Sequence, residues 1–316
     1  MRTVAVTRFR APAQLMELPV PTTKPNQLLI RVSFAGVNPF DAKIADGIFE
    51  GRRPHVFPLV LGIDAAGMVE SVGAEVRLFR PGDLVAGQFL HDPVGRGTYA
   101  EFAPVPENKA VVRVPQAISP DRAAALPTAG MTALDSIETL GLPSGSTLLI
   151  VGASGGVGSF ATELASTLGI HVTAVARDSS AARMRSLGAE EVVDPNARDL
   201  EETLRRSHPA GFDGLLDLMS DRTGFTQWRR WVRKGGSAVT TTFSADPESA
   251  AKDGIRAVNI DLQPNAALLQ RLVDRITAHG LRVPVERVVP LEEAPSALAD
   301  LRAGHGRGKT VVRVSA

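Results

Sequence analysis

An α/β chain, in which a parallel sheet carries helices on both faces behind a separate strand-rich domain, is what this sequence predicts, on three observations. Residues 147–177 read as an aliphatic run, a glycine cluster, a segment with apolar residues at helical spacing and a second apolar run. From Ser119 onward, helix and strand patterns alternate. Before that point, short β-type runs are separated by clusters of Pro, Gly and Asn, which is turn chemistry.

In chain order, a first domain of residues 1–118 carries β-type runs at 2–6, 27–34, 66–72, 84–88, 99–104 and 110–114, with a short helix expected around 41–46. Lys24-Pro25-Asn26 and Pro81-Gly82-Asp83 mark its turns. Ser119-Pro120-Asp121 then opens a helix, with Ser119 as the cap and proline at the first helical position. Helices at 132–140, 160–168, 180–187, 200–206 and 225–232 alternate with strands at 147–151, 171–176, 191–194, 214–218 and 237–242, which defines a second domain of residues 119–261. The remainder, 262–316, holds helices at 265–278 and 292–302 and strands at 285–289 and 310–314. It is too small for a sizeable core of its own and is expected to pack back on the first domain.

The glycine cluster has the spacing of a dinucleotide-binding turn, met as Ala153-x-Gly155-x-x-Gly158 with alanine at the first position. Such a turn needs backbone conformations that a Cβ disfavours, lets a diphosphate approach the main chain, and packs the helix close to the strand. Free N–H groups at the helix start then face the phosphates. The cofactor ligands expected here are Ala153, Ser154, Gly155, Gly156, Val157 and Gly158. An acid about 20 residues past the motif would hold a ribose 2′-hydroxyl; Ala176 and Arg177 stand there instead. A guanidinium suits a 2′-phosphate, so NADPH is the expected cofactor, with hydroxyls from Ser179 and Ser180 in support. A shift of the strand end would return an acid, Asp178, to the ribose.

Composition excludes several functions. The 35 basic and 34 acidic side chains nearly cancel to a net charge of +1, which gives no footprint for nucleic acid or an anionic membrane. The basic, aromatic segment from Trp228 to Lys234 fits a solvated helix better than a nucleic-acid surface. No apolar run approaches the ~18 residues of a spanning helix and the first residues lack the apolar block of a secretory signal, so a cytoplasmic protein is expected. Cysteine is absent, which removes disulfides, thiolate nucleophiles and thiolate zinc ligands. The histidines, at 55, 91, 171, 208, 279 and 305, lack ligand spacing, and no metal is expected.

Several segments, in order, resemble one family. These are Gly36-Val37-Asn38-Pro39-x-Asp41, Pro58-x-x-x-Gly62-x-Asp64-x-x-Gly67-x-Val69-x-x-Val72-Gly73, Pro81-Gly82-Asp83-x-Val85, Gly97-Thr98-Tyr99-Ala100-Glu101, residues 123–132, the glycine turn, and Gly304-x-x-x-Gly308-Lys309-x-Val311. Together they are similar to the medium-chain dehydrogenase/reductase superfamily over nearly the whole chain. Asn38-Pro39-x-Asp41 stands where zinc enzymes carry a cysteine, and Gly62-Ile63-Asp64 where they carry Gly-His-Glu, which resembles the zinc-independent quinone oxidoreductase branch. Lys43, two places after Asp41, is similar to the alkenal and enone reductases of that branch. The resemblance implies a GroES-like first domain, a Rossmann second domain, a cofactor in the cleft between them and a homodimer. One departure is the missing first-domain tyrosine of many quinone and enoyl-thioester reductases; the only tyrosine is Tyr99, in a strand signature where a structural role is expected. The Tyr-x-x-x-Lys of short-chain reductases also fails, because Ala103 stands where the lysine would be.

Reducing a quinone or an α,β-unsaturated carbonyl by hydride leaves negative charge on the carbonyl oxygen, so a preorganised donor is required. The candidates are the Lys43 ammonium, the Asn38 amide and backbone N–H groups, with Asp41 and Asp64 orienting Lys43 or the backbone. His55, in the proline-bounded loop 54–58, is read as an exposed residue. Further cofactor contacts are expected from strand ends on the carboxyl side of the sheet: Leu218 and Met219, then Thr241, Thr242 and Phe243. Thr128, Thr132 and Lys309 complete the set. The function expected is an NADPH-dependent reductase of quinones or enones; the alternatives are an enoyl-thioester reductase or a non-catalytic NADPH-binding protein.

Overall fold

The computed structural model describes every residue except His305, Arg307 and Ala316; His305 of the histidine set therefore lies outside the described residues. The chain divides into two compact units. The first combines Met1–Met131, Pro264–Ala278 and Val283–Ala316, and the second combines Thr132–Gln263 with His279–Arg282.

The first unit begins with strands β1 (Arg2–Val6), β2 (Gln14–Glu17) and β3 (Gln27–Gly36), helix α1 (Pro39–Ala45), and strands β4 (His55–Val60), β5 (Asp64–Val72), β6 (Leu84–Gln88), β7 (Val94–Arg96), β8 (Phe102–Pro106) and β9 (Val111–Arg113). Helix α2 (Pro120–Ala125) then runs into a π turn at Leu126–Gly130. Ser119 caps α2 with extended backbone alone, since its side chain makes no capping hydrogen bond. The second unit holds α3 (Met131–Leu140), β10 (Thr147–Val151), α4 (Gly156–Thr167), β11 (His171–Val175), α5 (Ala181–Ser186), β12 (Ala189–Val193), α6 (Leu200–Ser207), β13 (Phe212–Asp217), α7 (Arg222–Arg229), β14 (Val232–Thr240), α8 (Pro247–Lys252) and β15 (Arg256–Asn259). The chain closes with α9 (Ala266–His279), β16 (Val285–Pro290), α10 (Ala294–Arg302) and β17 (Lys309–Arg313).

Among the described residues, the large sheet of the first unit has the order β16-β17-β3-β5-β6-β9, with β8 also paired to β3. Two registers in it matter. Antiparallel β3 and β5 set Gly36 opposite Asp64, and antiparallel β17 and β3 set Val311 opposite Gly36. The end of β3, the start of β5 and the start of β17 therefore meet at one point, two residues before Asn38. A Cβ on Gly36 would lie 2.5 Å from the Ala124 carbonyl oxygen, so only glycine lets α2 approach there. The core beside this point is aliphatic, with Leu28, Ile30, Leu59, Leu61, Val85 and Val312 buried.

The sheet of the second unit is parallel, in the order β12-β11-β10-β13-β14-β15. Its order reverses beside β10, which creates a crevice at the carboxyl ends of β10 and β13. Leu149, Val175, Phe212, Leu215 and Phe225 fill its core. Sequence periodicity places a helix across 225–232; in the structure α7 ends at Arg229 and Val232 already begins β14, because Val232 is needed in that core. His55 opens β4 rather than sitting in a loop.

Candidate functional site

Two sets of residues stand out, one in each unit. In the first unit, Asn38 caps α1 with Pro39 at the first helical position, and its backbone N–H donates to Asp41 Oδ2 at 2.8 Å. The Asn38 side chain is fixed at both ends. Its Oδ1 accepts from Lys309 Nζ at 2.6 Å and its Nδ2 donates to Asp64 Oδ2 at 2.9 Å. A lysine only donates and a carboxylate only accepts, so the amide has one orientation. Lys309 also donates to the Val37 carbonyl at 3.0 Å and stands 3.7 Å from Asp64 Oδ2. Asp64 in turn accepts from the Thr128 N–H at 3.0 Å and from the Thr128 hydroxyl at 2.7 Å, which ties the π turn into the cluster. Gln88 donates to Thr128 Oγ1 at 3.3 Å.

Tyr99 completes this set: its hydroxyl donates to Asp41 Oδ2 at 2.8 Å from a fully buried position. Burial dominates the electrostatics. It pushes the Asp41 carboxyl up to about 7, against the hydrogen bonds from Asn38 and Tyr99, with Asp64 adding repulsion. Burial likewise raises Asp64, against its ion pair with Lys309, and lowers Lys309. The Tyr99 hydroxyl is raised well above its usual value by burial and by Asp41. From the sequence, Asp41 and Asp64 are expected to orient Lys43 or the backbone; in the structure each accepts from a backbone N–H, of Asn38 and Thr128 respectively, Asp64 also pairs with Lys309 from the chain's last strand, and Lys43 stands exposed on α1.

In the second unit, Gly152 carries the left-handed turn with φ +80°, one residue before the alanine of the motif. Ala153 is buried beneath it. A Cβ on Gly158 would lie 2.5 Å from the Gly152 carbonyl oxygen and 2.6 Å from Ala153 Cα, so glycine is required for α4 to pack on the turn. On Gly155 the nearest atom would be the Gly152 oxygen at 3.4 Å, which leaves the turn's outer face open. Gly155 is the N-cap of α4 and no side chain caps that end. Ser154, Gly156 and Val157 are half-buried around it. This open helix start with unsatisfied N–H groups fits a diphosphate.

Arg183, unforeseen from the sequence, clamps this turn from α5, donating to the Ser154 carbonyl at 2.7 Å and to Ser159 Oγ at 2.8 Å. Arg177 lies exposed just past β11, followed by exposed Ser179 and buried Ser180. Along the carboxyl edge, Leu218 is half-buried and Met219 is 69% exposed, beside Gly152. Asp217, fully buried, accepts from the Met219 and Ser220 N–H groups with Oδ1 and fixes that corner. An acid inside the apolar run Leu215-Leu216-Asp217-Leu218 was the signal for it. Phe243 is 60% exposed at φ +58°, a strained conformation for a bulky residue. A hydroxyl network holds its turn: Thr242 Oγ1 donates to the Ser220 carbonyl at 2.7 Å and meets Thr240 and Ser244 at 2.9 Å each. Thr241 donates its N–H to the Asp217 carbonyl at 3.3 Å, and Thr132 is buried at the start of α3.

Residues 24–116 match the family model described as alcohol dehydrogenase GroES-like domain, and residues 187–312 match zinc-binding dehydrogenase. The chain is 30% identical, over 95% of its length and 85% of the relative's, to a mouse (Mus musculus) protein called NAD(P)H oxidoreductase RTN4IP1, mitochondrial. It is 31% identical, over 93% of its length and 73% of the relative's, to the 2-methylene-furan-3-one reductase of Solanum lycopersicum. Among solved structures, the quinone oxidoreductase of Coxiella burnetii superposes with a TM-score of 0.87 at 29% identity, covering 100% of this chain and 99% of that one.

A GroES-like unit and a parallel Rossmann sheet in one chain define a nicotinamide-nucleotide oxidoreductase fold. The chain belongs to the medium-chain dehydrogenase/reductase superfamily, in its quinone oxidoreductase branch. Despite the zinc in one family description, the donor set does not fit that ion. The chain has no cysteine, and among the described residues no three His, Asp or Glu side chains stand where they would hold a metal. No helix among the described residues is long and apolar enough to cross a membrane.

Proposed function

We propose that the protein is an NADPH-dependent, zinc-independent reductase that delivers hydride to a quinone or an α,β-unsaturated carbonyl. The observation that carries this reading is the pairing, within the second unit, of an uncapped helix start at a glycine turn with a guanidinium at the end of the second strand. NADPH supplies a hydride when bound. The N–H groups at the start of α4 hold the diphosphate, Arg183 keeps their turn in shape, and Arg177 meets the 2′-phosphate. Met219 and Phe243 offer apolar surface to the flat rings of the cofactor.

In the first unit the buried Asn38 amide accepts from Lys309 and donates to Asp64 and, at 3.5 Å, to the Gly36 carbonyl, so it is a brace rather than a donor to substrate. The exposed Lys43 ammonium is the side chain we assign to the acceptor's carbonyl oxygen, with backbone N–H groups as the other donors available. The names of the mouse and tomato relatives support a nicotinamide nucleotide and an enone acceptor respectively.

Purified protein mixed with NADPH and a panel of quinones and conjugated enones should bleach the absorbance of the reduced nucleotide, more slowly with NADH. The rate should survive exhaustive treatment with a chelator. Failure of every acceptor with both nucleotides would overturn the reading, and loss of rate on chelation would overturn its zinc independence.

A further inference from the structure

Strands β11 and β12 end side by side, with Val175 opposite Val193 and the Ala176 N–H donating to the Val193 carbonyl at 3.0 Å. Arg177 and Asp194 therefore emerge together at the carboxyl edge, where the fold presents the ribose 2′ position. The Asp194 carboxylate does not move freely. Its Oδ2 accepts from the Asp178 N–H at 3.0 Å and its Oδ1 from the Asn196 N–H at 2.8 Å, so it is fixed beside the residue that follows Arg177. Those two bonds, then the field of Arg177, hold it below the usual carboxylate range and ionised at neutral pH. Arg177 is exposed and interacts with Asp194 through space. Among the described residues its guanidinium makes no hydrogen bond, so its fork of donors faces solvent with a fixed negative charge alongside.

We propose that Asp194 is a specificity-determining residue of the cofactor site, acting against Arg177: its carboxylate weakens the hold on a 2′-phosphate and leaves a 2′-hydroxyl unopposed. The proposal rests on the NADPH reading above. A phosphate dianion is attracted by the guanidinium and repelled by the carboxylate, whereas a hydroxyl donates to a carboxylate at no electrostatic cost. The preference for NADPH over NADH is then a difference between two opposed charges on neighbouring strands. Asp178, Ser179 and Ser180 form the short turn that follows Arg177.

The test uses the full chain and two fragments that isolate the 2′ group, adenosine 2′,5′-bisphosphate and 5′-AMP, titrated by calorimetry. Asp194→Asn should tighten the bisphosphate by about three- to tenfold at low salt, with the gain shrinking as salt screens it, and should leave 5′-AMP within about twofold. Asp194→Glu, which keeps the charge, should restore the wild-type ratio, and Arg177→Gln should weaken the bisphosphate alone. The ratio of NADPH to NADH kcat/KM should follow the fragments. If Asp194→Asn shifts both fragments by one common factor, or weakens the bisphosphate, Asp194 only shapes the turn and the proposal is overturned. Wild-type protein that binds 5′-AMP but gains nothing from the 2′-phosphate would overturn the NADPH reading itself.

Discussion

Asp41 is fully buried with two hydrogen bonds on Oδ2 and, among the described residues, none on Oδ1. Burial lifts its pKa from 3.8 to about 7. In the unfolded chain this carboxyl ionises near pH 4, whereas the folded chain keeps its proton up to near neutrality. Its contribution to stability is thus complete below pH 4 and is lost as pH rises through about 7, at up to ~1.4 kcal/mol per pH unit. Asp41→Asn keeps an oxygen for Asn38 and Tyr99 but has nothing to titrate. Urea unfolding at pH 5 and pH 7 should show wild type gaining on the variant at the lower pH, and parallel curves would refute the assignment. At the neighbouring Lys43, Ala substitution should lower kcat on enones by on the order of 10²-fold without changing NADPH affinity if the ammonium faces the acceptor; unchanged kinetics would return it to the solvated surface. Asn38, Asp41 and Asp64 stand out in the sequence through their resemblance to the family's motifs. The sequence could not show their cation, because Lys309 arrives by strand pairing from 271 residues away, a distance that no local pattern encodes.

The strand-turn-helix at β10 and α4 is the element most legible in the sequence, because its constraints are local. Glycines mark where a Cβ would collide, and the periodicity of the helix follows at once. Alanine at two of those glycines separates folding from binding. At Gly158 the new methyl meets backbone at 2.5 and 2.6 Å, which cannot swing aside. Gly158→Ala should cost about 1–3 kcal/mol of stability and weaken NADPH together. At Gly155 the methyl meets nothing nearer than 3.4 Å and the backbone is ordinary for alanine, so the thermal midpoint should hold while NADPH binding falls. Equal melting losses for both variants would contradict the open turn. Elements fixed by tertiary pairing were harder to read: β4 and β7 are short strands whose pairing lies outside the large sheet, and β15 is a four-residue edge strand. The Trp228–Lys234 segment looked helical because its charges mask Val232, which the sheet recruits as the start of β14.

At the scale of the whole chain, the backbone leaves the first unit after Met131, builds the second, and returns at Pro264 to supply α9, β16, α10 and β17. The tail, 55 residues from 262 to 316, is small for a sizeable core of its own, which is why a return is expected from the sequence. Which surface it covers depends on the β17–β3 register, and that was not legible. The register gives the return a measurable consequence. A chain ended at Val283 loses β17, so Phe34, Ala35 and Gly36 lose their antiparallel partners. It also strips Val289, Leu291, Leu298 and Val312 from the core of the first unit. Lys309 goes as well, leaving Asp64 buried without its counter-ion, a loss of about 3–5 kcal/mol by itself. None of these residues belongs to the core of the second unit, which is built from 149–257. Limited proteolysis of the shortened chain should therefore digest residues 1–131 rapidly while a fragment near 132–263 persists, still protected by NADPH. Rapid loss of both regions together would show that the second unit depends on the returning segment for its own stability.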